Sequence, residues 1–210
     1  TGVQTCALPI CASVHAVRLH PRRAKLRSLA GLASGQALTL HYYRNASLAR
    51  WVQARVRAGE VDAAVVFSSS MAQYAEGLGV PMIVDFVDID SAKWTEYARS
   101  HPGPLGWLYR REGERLLAYE RATALRSQQS FFATEKEAEL FCRLAPECAA
   151  VVEPMNNGVD ARFFQHDAAR PSPFAAGERA IVFTGAMDYW PNIDAVTWFA
   201  QERSEEHTSE

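Results

Sequence analysis

Cysteine is scarce: the chain has four, and no two of them stand as CxxC. That excludes a disulfide scaffold, argues against a structural zinc site, and fits a reducing compartment. His15, His20, His41, His101 and His166 show no metal-ligand spacing. No apolar run approaches the roughly 20 residues that a bilayer-spanning helix needs. Neither a P-loop nor a nucleophile elbow occurs. With 48% hydrophobic and 22% charged residues, disorder and collagen-like sequence are excluded too. What is there is a chain of 210 residues, enough for one full domain or one domain with part of another.

The two ends read as foreign. TGVQTCALPI (Thr1–Ile10) and RSEEHTSE (Arg203–Glu210) match translations of one short-read sequencing adapter. A single DNA element encodes Val3–Ile10 in one direction and, on its complementary strand in a shifted frame, the last eight residues. Such scars are set aside before a fold is read. The expected native stretch is Cys11–Glu202, an internal fragment of something longer. Without Arg203, Glu205, Glu206 and Glu210, the 22 basic and 24 acidic residues reduce to equal numbers.

Within that stretch the pattern alternates between strand and helix. Ser13–Leu19 reads as a short strand, Arg22–Leu32 as a basic helix and Gly35–Tyr43 as a loop. Leu48, Trp51, Val52 and Val56 recur at helical spacing in Ala46–Ala58, and Gly59 stops that helix. Asp62–Phe67 is a continuous apolar run, as in a strand buried on both faces. A helical stretch then runs to Gly77. Pro81–Val87 is a second buried strand, and Ser91 is the expected cap of the following helix. A long helix spans Pro104–Ser127, and Ser130–Ala133 is a third strand. Thr134 and Glu137 form a capping box for the helix to Leu144. Val151–Pro154 is a fourth strand, Ala180–Thr184 a fifth, and Asn192–Ala200 a further helix. Alternation of this kind predicts an α/β fold: a Rossmann-like parallel sheet with flanking helices, plus the first strand and helix of a second domain. The expected boundaries are 11–167 for the first domain, 168–178 for a linker and 179–202 for the start of the second.

In open α/β sheets ligands bind beyond the carboxyl ends of the strands. That rule selects Ser68–Ser70, Asp88–Ser91, Thr134–Glu135, Asn156–Asp160 and Gly185–Asp188. Asp85 falls within its strand, with Asp88 and Asp90 past its end. A carboxylate there either orients or deprotonates an acceptor hydroxyl, or caps the next helix. The Asp88-Ile89-Asp90 spacing does not by itself make a metal site, and no metal is expected. Ser68, Ser69 and Ser70 either donate hydrogen bonds to a sugar or phosphate or form an ordinary turn; Lys93 joins them as a candidate acceptor-binding group. Asn157-Gly158-Val159-Asp160 is a turn signal. Gly185 after a strand lets a phosphate approach backbone amides. Cys142 and Cys148 read as packed or surface thiols.

Residues 11–59 contain no acid. Between 18 and 57 lie Arg18, Arg22, Arg23, Lys25, Arg27, Arg44, Arg50, Arg55 and Arg57, with Leu26, Leu29 and Leu32 interleaved. This is either a face that docks on an anionic membrane surface or a solvated face balanced by acids elsewhere. Nucleic acid is not an expected partner: the aromatics form no recognised module and the native net charge is zero.

Four segments in order carry a family resemblance: VDFVDIDSAKWTEYA (Val84–Ala98), LYRREGERLLAYER (Leu108–Arg121), NNGVDARFF (Asn156–Phe164) and VFTGAMDYWPNIDAVTWF (Val182–Phe199). Together they resemble the sugar transferases associated with exosortase/PEP-CTERM exopolysaccharide clusters, within the GT4-type GT-B glycosyltransferases. The resemblance implies two Rossmann-like domains across a cleft, an acceptor side first and a nucleotide-sugar donor side second. It implies retention of anomeric configuration, no cofactor and no metal. Gly185 matches the first glycine loop of the donor domain, and Asn157, Gly158 and Asp160 match the interdomain motif. Asp88 and Asp90 lie where many relatives place an acceptor-side catalytic group, often a histidine. The Gly-rich loop of the first domain is expected before Cys11 and an E-x7-E carboxylate pair beyond Glu202, so the fragment alone is expected to transfer no sugar. The implied acceptor is an exopolysaccharide or lipid-linked glycan, and the implied location is cytoplasmic, peripheral to the inner face of a bacterial membrane. Two other readings stand beside it: a sugar-nucleotide-binding or epimerase-like α/β domain, and a non-catalytic scaffold at a membrane.

Overall fold

The computed structural model describes residues 11–203 apart from 168, 170, 176 and 189. The terminal segments read as foreign, except Arg203, lie outside the described residues. The chain divides into two compact units, one ending at Gly158 and one beginning at Val159.

In the first unit a four-stranded sheet runs in the order β1 (Ala64–Phe67), β2 (Met82–Val87), β3 (Gln129–Phe132), β4 (Val152–Pro154), and every pair is parallel. Parallel neighbours cannot be joined by tight hairpins, so each connection crosses over the sheet. A 3-10 turn, Ser69–Tyr74, begins the first crossover. The second is the helix pair α5 (Asp90–Ser100) and α6 (Pro104–Arg126), and the third is α7 (Glu135–Leu144) with a 3-10 turn, Pro146–Val151. Among the described residues four short helices precede the sheet: α1 (Pro21–Ser28), α2 (Ala30–Ser34), α3 (Leu38–Tyr43) and α4 (Ala46–Arg57). The fold is therefore α/β with an all-parallel sheet flanked by helices, as the alternating pattern predicts.

The core forms where one face of β2 and β3 meets α7. Phe86, Phe132 and Phe141 stack with ring centroids 5.2, 5.8 and 4.8 Å apart, and Val66, Val84, Ala124 and Cys148 close around them. A second cluster, Ala37, Leu40 and Leu116, packs α3 on α6 with Trp94 and Tyr119 at its margin. Helices α5 and α6 approach closely at Gly113, where a Cβ would stand 2.6 Å from Thr95 Oγ1 and 3.0 Å from the Ser91 carbonyl.

Local signals decide some elements. The Asn45 side chain accepts from the amides of Ser47 and Leu48 at 2.9 and 3.2 Å and starts α4. Pro21 and Pro104 occupy the first turns of α1 and α6, where a missing N–H costs nothing.

Several expectations are corrected. Ser13–Leu19 is not a strand; this segment takes no regular structure, and His15 stacks on Trp51 at 4.8 Å. Alternation makes a strand only where a partner edge pairs with it. Gly35–Tyr43 is not all loop, because Leu38–Tyr43 is helical. The reason is distant in sequence: the Glu112 carboxylate accepts from Leu38 N, Thr39 N and Thr39 Oγ1 at 2.7, 2.8 and 2.7 Å and caps α3. Nor is β1 buried on both faces. It is an edge strand, with Val65 and Phe67 exposed at 78% and 66% and only Val66 inside. Ser91 does not cap α5; Ile89 occupies the cap position, and the Ser91 hydroxyl turns to Glu120. Thr134 does cap α7, but the Glu137 carboxylate reaches Ile89 N instead of completing a capping box.

In the second unit Ala180–Thr184 is not a strand. Ile181, Val182 and Phe183 are exposed, and no described segment pairs with them. Helix α8 spans Trp190–Trp198 and loosens into a π-type turn, Phe199–Arg203.

Candidate functional site

The carboxyl ends of β1 and β2 both finish in strained backbone. Among the described residues, Ser68 and Val87 alone have positive φ without being glycine, at 74° and 68°. For a β-branched residue such as Val87 this conformation is costly, of order 1–3 kcal/mol. It closes a three-residue turn in which Asp88 N donates to Phe86 O at 2.9 Å. The Asp85 carboxylate holds the turn by accepting from Val87 N at 3.0 Å, and the β2–β3 register shifts at the same point. Strain of this kind persists only where the surroundings over-determine it.

The surroundings do so here with carboxyl groups from two helices. Glu137 of α7 accepts from Ile89 N at 2.9 Å. Glu120 of α6 accepts from Ser91 N at 3.2 Å and from Ser91 Oγ at 2.5 Å. Burial pushes the Glu120 carboxyl up to about 8; the nearby Asp90 charge adds to the rise while the Ser91 hydrogen bonds oppose it.

This frame gathers six of the candidate residues. Asp90 begins α5, where its charge suits the positive end of the helix. Ser69 Oγ donates to Asp90 Oδ2 at 3.1 Å. Lys93 Nζ donates to Asp88 Oδ2 at 2.7 Å and to Asp90 Oδ1 at 3.4 Å. Burial works against the Lys93 charge, but hydrogen bonding and charge from Asp88 and Asp90 outweigh it and raise its pKa. Ser68 Oγ and Ser70 Oγ stand 3.5 Å apart, with Ser69 and Ser70 buried. The arrangement is a fixed carboxylate pair sharing one ammonium, with hydroxyls beside it. Both ion pairs are part-exposed, so each adds at most about 1 kcal/mol to stability.

Asp90, Ser68 and Ser70 open into a cavity of about 690 Å³. Tyr42, Tyr43, Trp94 and Tyr109 give it flat apolar walls, and Lys25 and Glu112 line it too. Trp94 and Tyr109 support one another, with ring centroids 5.3 Å apart. A concave, largely apolar pocket with a few convergent polar groups is the usual form of a small-molecule site. The sequence reading missed the four aromatics and the buried carboxylates. Glu120 was open to discovery: Gly113, Leu116, Glu120 and Ala124 share the buried stripe of α6, where an acid is out of place.

The remaining candidates are not gathered into this site. Asn157 and Gly158 are exposed irregular backbone at the end of the first unit. Asp160, in the second unit, turns the chain by accepting from the amides of Arg162 and Phe163 at 3.1 and 3.0 Å. Gly185 lies under Asn192, whose Nδ2 would stand 2.8 Å from a Cβ there and which donates to the Ala186 carbonyl. Among the described residues no group of three His, Cys, Asp or Glu is placed to hold a metal ion. No described helix is long and apolar enough to cross a membrane.

Compared with protein-family models, with curated proteins and with solved structures, the chain matches none of them.

Proposed function

We propose that the first unit is the acceptor side of a retaining GT-B glycosyltransferase. In this reading the parent enzyme moves a sugar from a nucleotide-sugar donor to an exopolysaccharide or lipid-linked glycan, in the cytoplasm and peripheral to the membrane. One observation carries it: the DFVDIDSAKW segment forms the strained end of β2 and the start of α5, so that Asp90 borders an aromatic-walled cavity beyond the sheet's carboxyl edge. Sugar rings present C–H faces that suit Trp94 and Tyr109, and hydroxyls that suit Ser68, Ser70 and Asp90. Asp90 would orient the acceptor hydroxyl, its own oxygens kept in place by Ser69 and Lys93. Asp88 would act through Lys93. Asn157, Gly158, Asp160 and Gly185 would serve the donor, which is a substrate and not a cofactor.

Isothermal titration of the full chain with short alkyl-diphosphate saccharides tests this. Saturable binding is expected, weakened about tenfold or more by Trp94→Ala, a typical loss for an aromatic anchor. Asp90→Asn should weaken it less, since the amide retains acceptor capacity. Binding of free nucleotide sugars with none of saccharides would favour an epimerase-like domain. Binding of neither would contradict the glycosyltransferase reading.

A further inference from the structure

The segment from Arg22 to Leu32 carries an exposed ridge that the proposed sugar site does not use. Leu26 on α1, Leu29 at the junction and Leu32 on α2 recur three apart with 72%, 52% and 42% of their surface exposed. Arg22, Arg23 and Lys25 stand beside them, also exposed. None of the three has a carboxylate partner among the described residues. Of the nine basic residues between 18 and 57, Arg55 alone is ion-paired with another described residue, Glu60. Arg22, Arg23 and Lys25 are thus not neutralised by any described carboxylate, which leaves them open to an anionic partner.

The ridge is also firmly seated. Arg27 donates to the carbonyls of His41 and Tyr42 at 3.0 and 2.8 Å, and Arg111 of α6 donates to the Gly31 carbonyl at 2.7 Å. It borders the cavity directly, because Lys25, Ser28 and Leu29 line both.

From these observations we infer that the Arg22–Leu32 ridge docks on an anionic bilayer surface and presents the cavity mouth to the lipid headgroups, so that the acceptor is a phosphate-bearing glycolipid drawn from the membrane. The second half of this inference rests on the cavity being an acceptor site; the docking does not. Leucines set among arginines match a headgroup boundary, where apolar side chains enter the acyl layer and cations meet phosphates. Nucleic acid would neutralise the arginines and leave the leucines in water.

Sedimentation of the full chain with phosphatidylcholine vesicles, with and without phosphatidylglycerol, tests the docking. Binding only to the anionic vesicles, weakening with salt, is expected. Arg22→Gln with Arg23→Gln should weaken it about 25-fold, from about fivefold for each charge. Leu26→Ser with Leu32→Ser should weaken it at least about tenfold even at low salt. Arg143→Gln, away from the ridge, should have no effect. All these positions are exposed, so thermal unfolding should not change. Equal binding to both vesicles, no binding, or indifference to both pairs of substitutions would overturn the docking. Retention of single-stranded RNA without vesicle binding would overturn it as well.

The coupling has its own readout. A vesicle-embedded alkyl-diphosphate saccharide should bind more tightly than its soluble counterpart, and Leu26→Ser with Leu32→Ser should remove that gain. Equal affinities would overturn the coupling. Loss of soluble-saccharide binding with vesicle docking intact would instead count against the acceptor reading alone.

Discussion

Glu120 offers a sharp test of how the candidate site is held. Its side chain is fully buried in α6, and it receives both the amide and the hydroxyl of Ser91. Burial raises the carboxyl from 4.5 to about 8. An acid with a raised folded-state pKa favours folding while it stays protonated. Between about pH 4.5 and 8 the unfolded chain has released this proton and the folded chain has kept it. Stability from this group is therefore fully present below the lower value and is lost as pH rises through the window. At 1.36 kcal/mol per pKa unit, the loss is on the order of 3–5 kcal/mol. Glu120→Gln keeps the shape and an acceptor for Ser91 N but cannot ionise. Urea unfolding of the two proteins should give stabilities within about 1 kcal/mol of each other near pH 5. Near pH 8 the variant should be the more stable by roughly 3 kcal/mol. Parallel pH profiles for the two proteins would refute the reasoning.

Substitutions at three further positions probe the frame and the core. Gly113→Ala pushes a methyl group against Thr95 and the Ser91 backbone; it should cost about 1–3 kcal/mol in urea unfolding and weaken saccharide binding by shifting α5. A fully wild-type response would mean that the α5–α6 contact does not set the site. At Val87, glycine should be more stable than alanine by about 1 kcal/mol, the reverse of the usual strand order, because φ is 68°; alanine above glycine would argue against the strained turn. Phe141→Ala removes the ring packed on both Phe86 and Phe132 and should cost about 3–5 kcal/mol, read as a shift in the urea midpoint. A loss under about 1 kcal/mol would place the core elsewhere.

The sequence made legible what local chemistry controls. The helix at Ala46–Arg57 shows its apolar spacing and its Gly59 stop, and the strands around Val66, Val84 and Phe132 stand out as apolar runs between polar turns. The polar clusters past those strands, Ser68–Ser70 and Asp88–Lys93, were likewise readable because parallel sheets direct chemistry to their carboxyl edge. Long-range contacts were not readable. Helix α3 owes its start to Glu112, more than 70 residues away, and the Asp88–Ser91 turn owes its shape to Glu120 and Glu137. Alternation at Ser13–Leu19 and an apolar run at Ala180–Thr184 looked like strands, yet neither has a described neighbour to pair with. The cavity walls come from α3, α5 and α6, so no single window of sequence could have assembled Tyr42, Tyr43, Trp94 and Tyr109.

The central claim is that the aromatic cavity beyond β1 and β2 receives a glycan acceptor. Amide chemical-shift mapping of the 210-residue chain during titration with an alkyl-diphosphate saccharide tests it most directly. The account predicts saturable shifts at Ser68–Ser70, Asp90–Trp94 and Tyr109, with saturation transfer from the Trp94 and Tyr109 rings to the sugar protons. Shifts confined to Val159–Arg203, or no shifts at all, would contradict it.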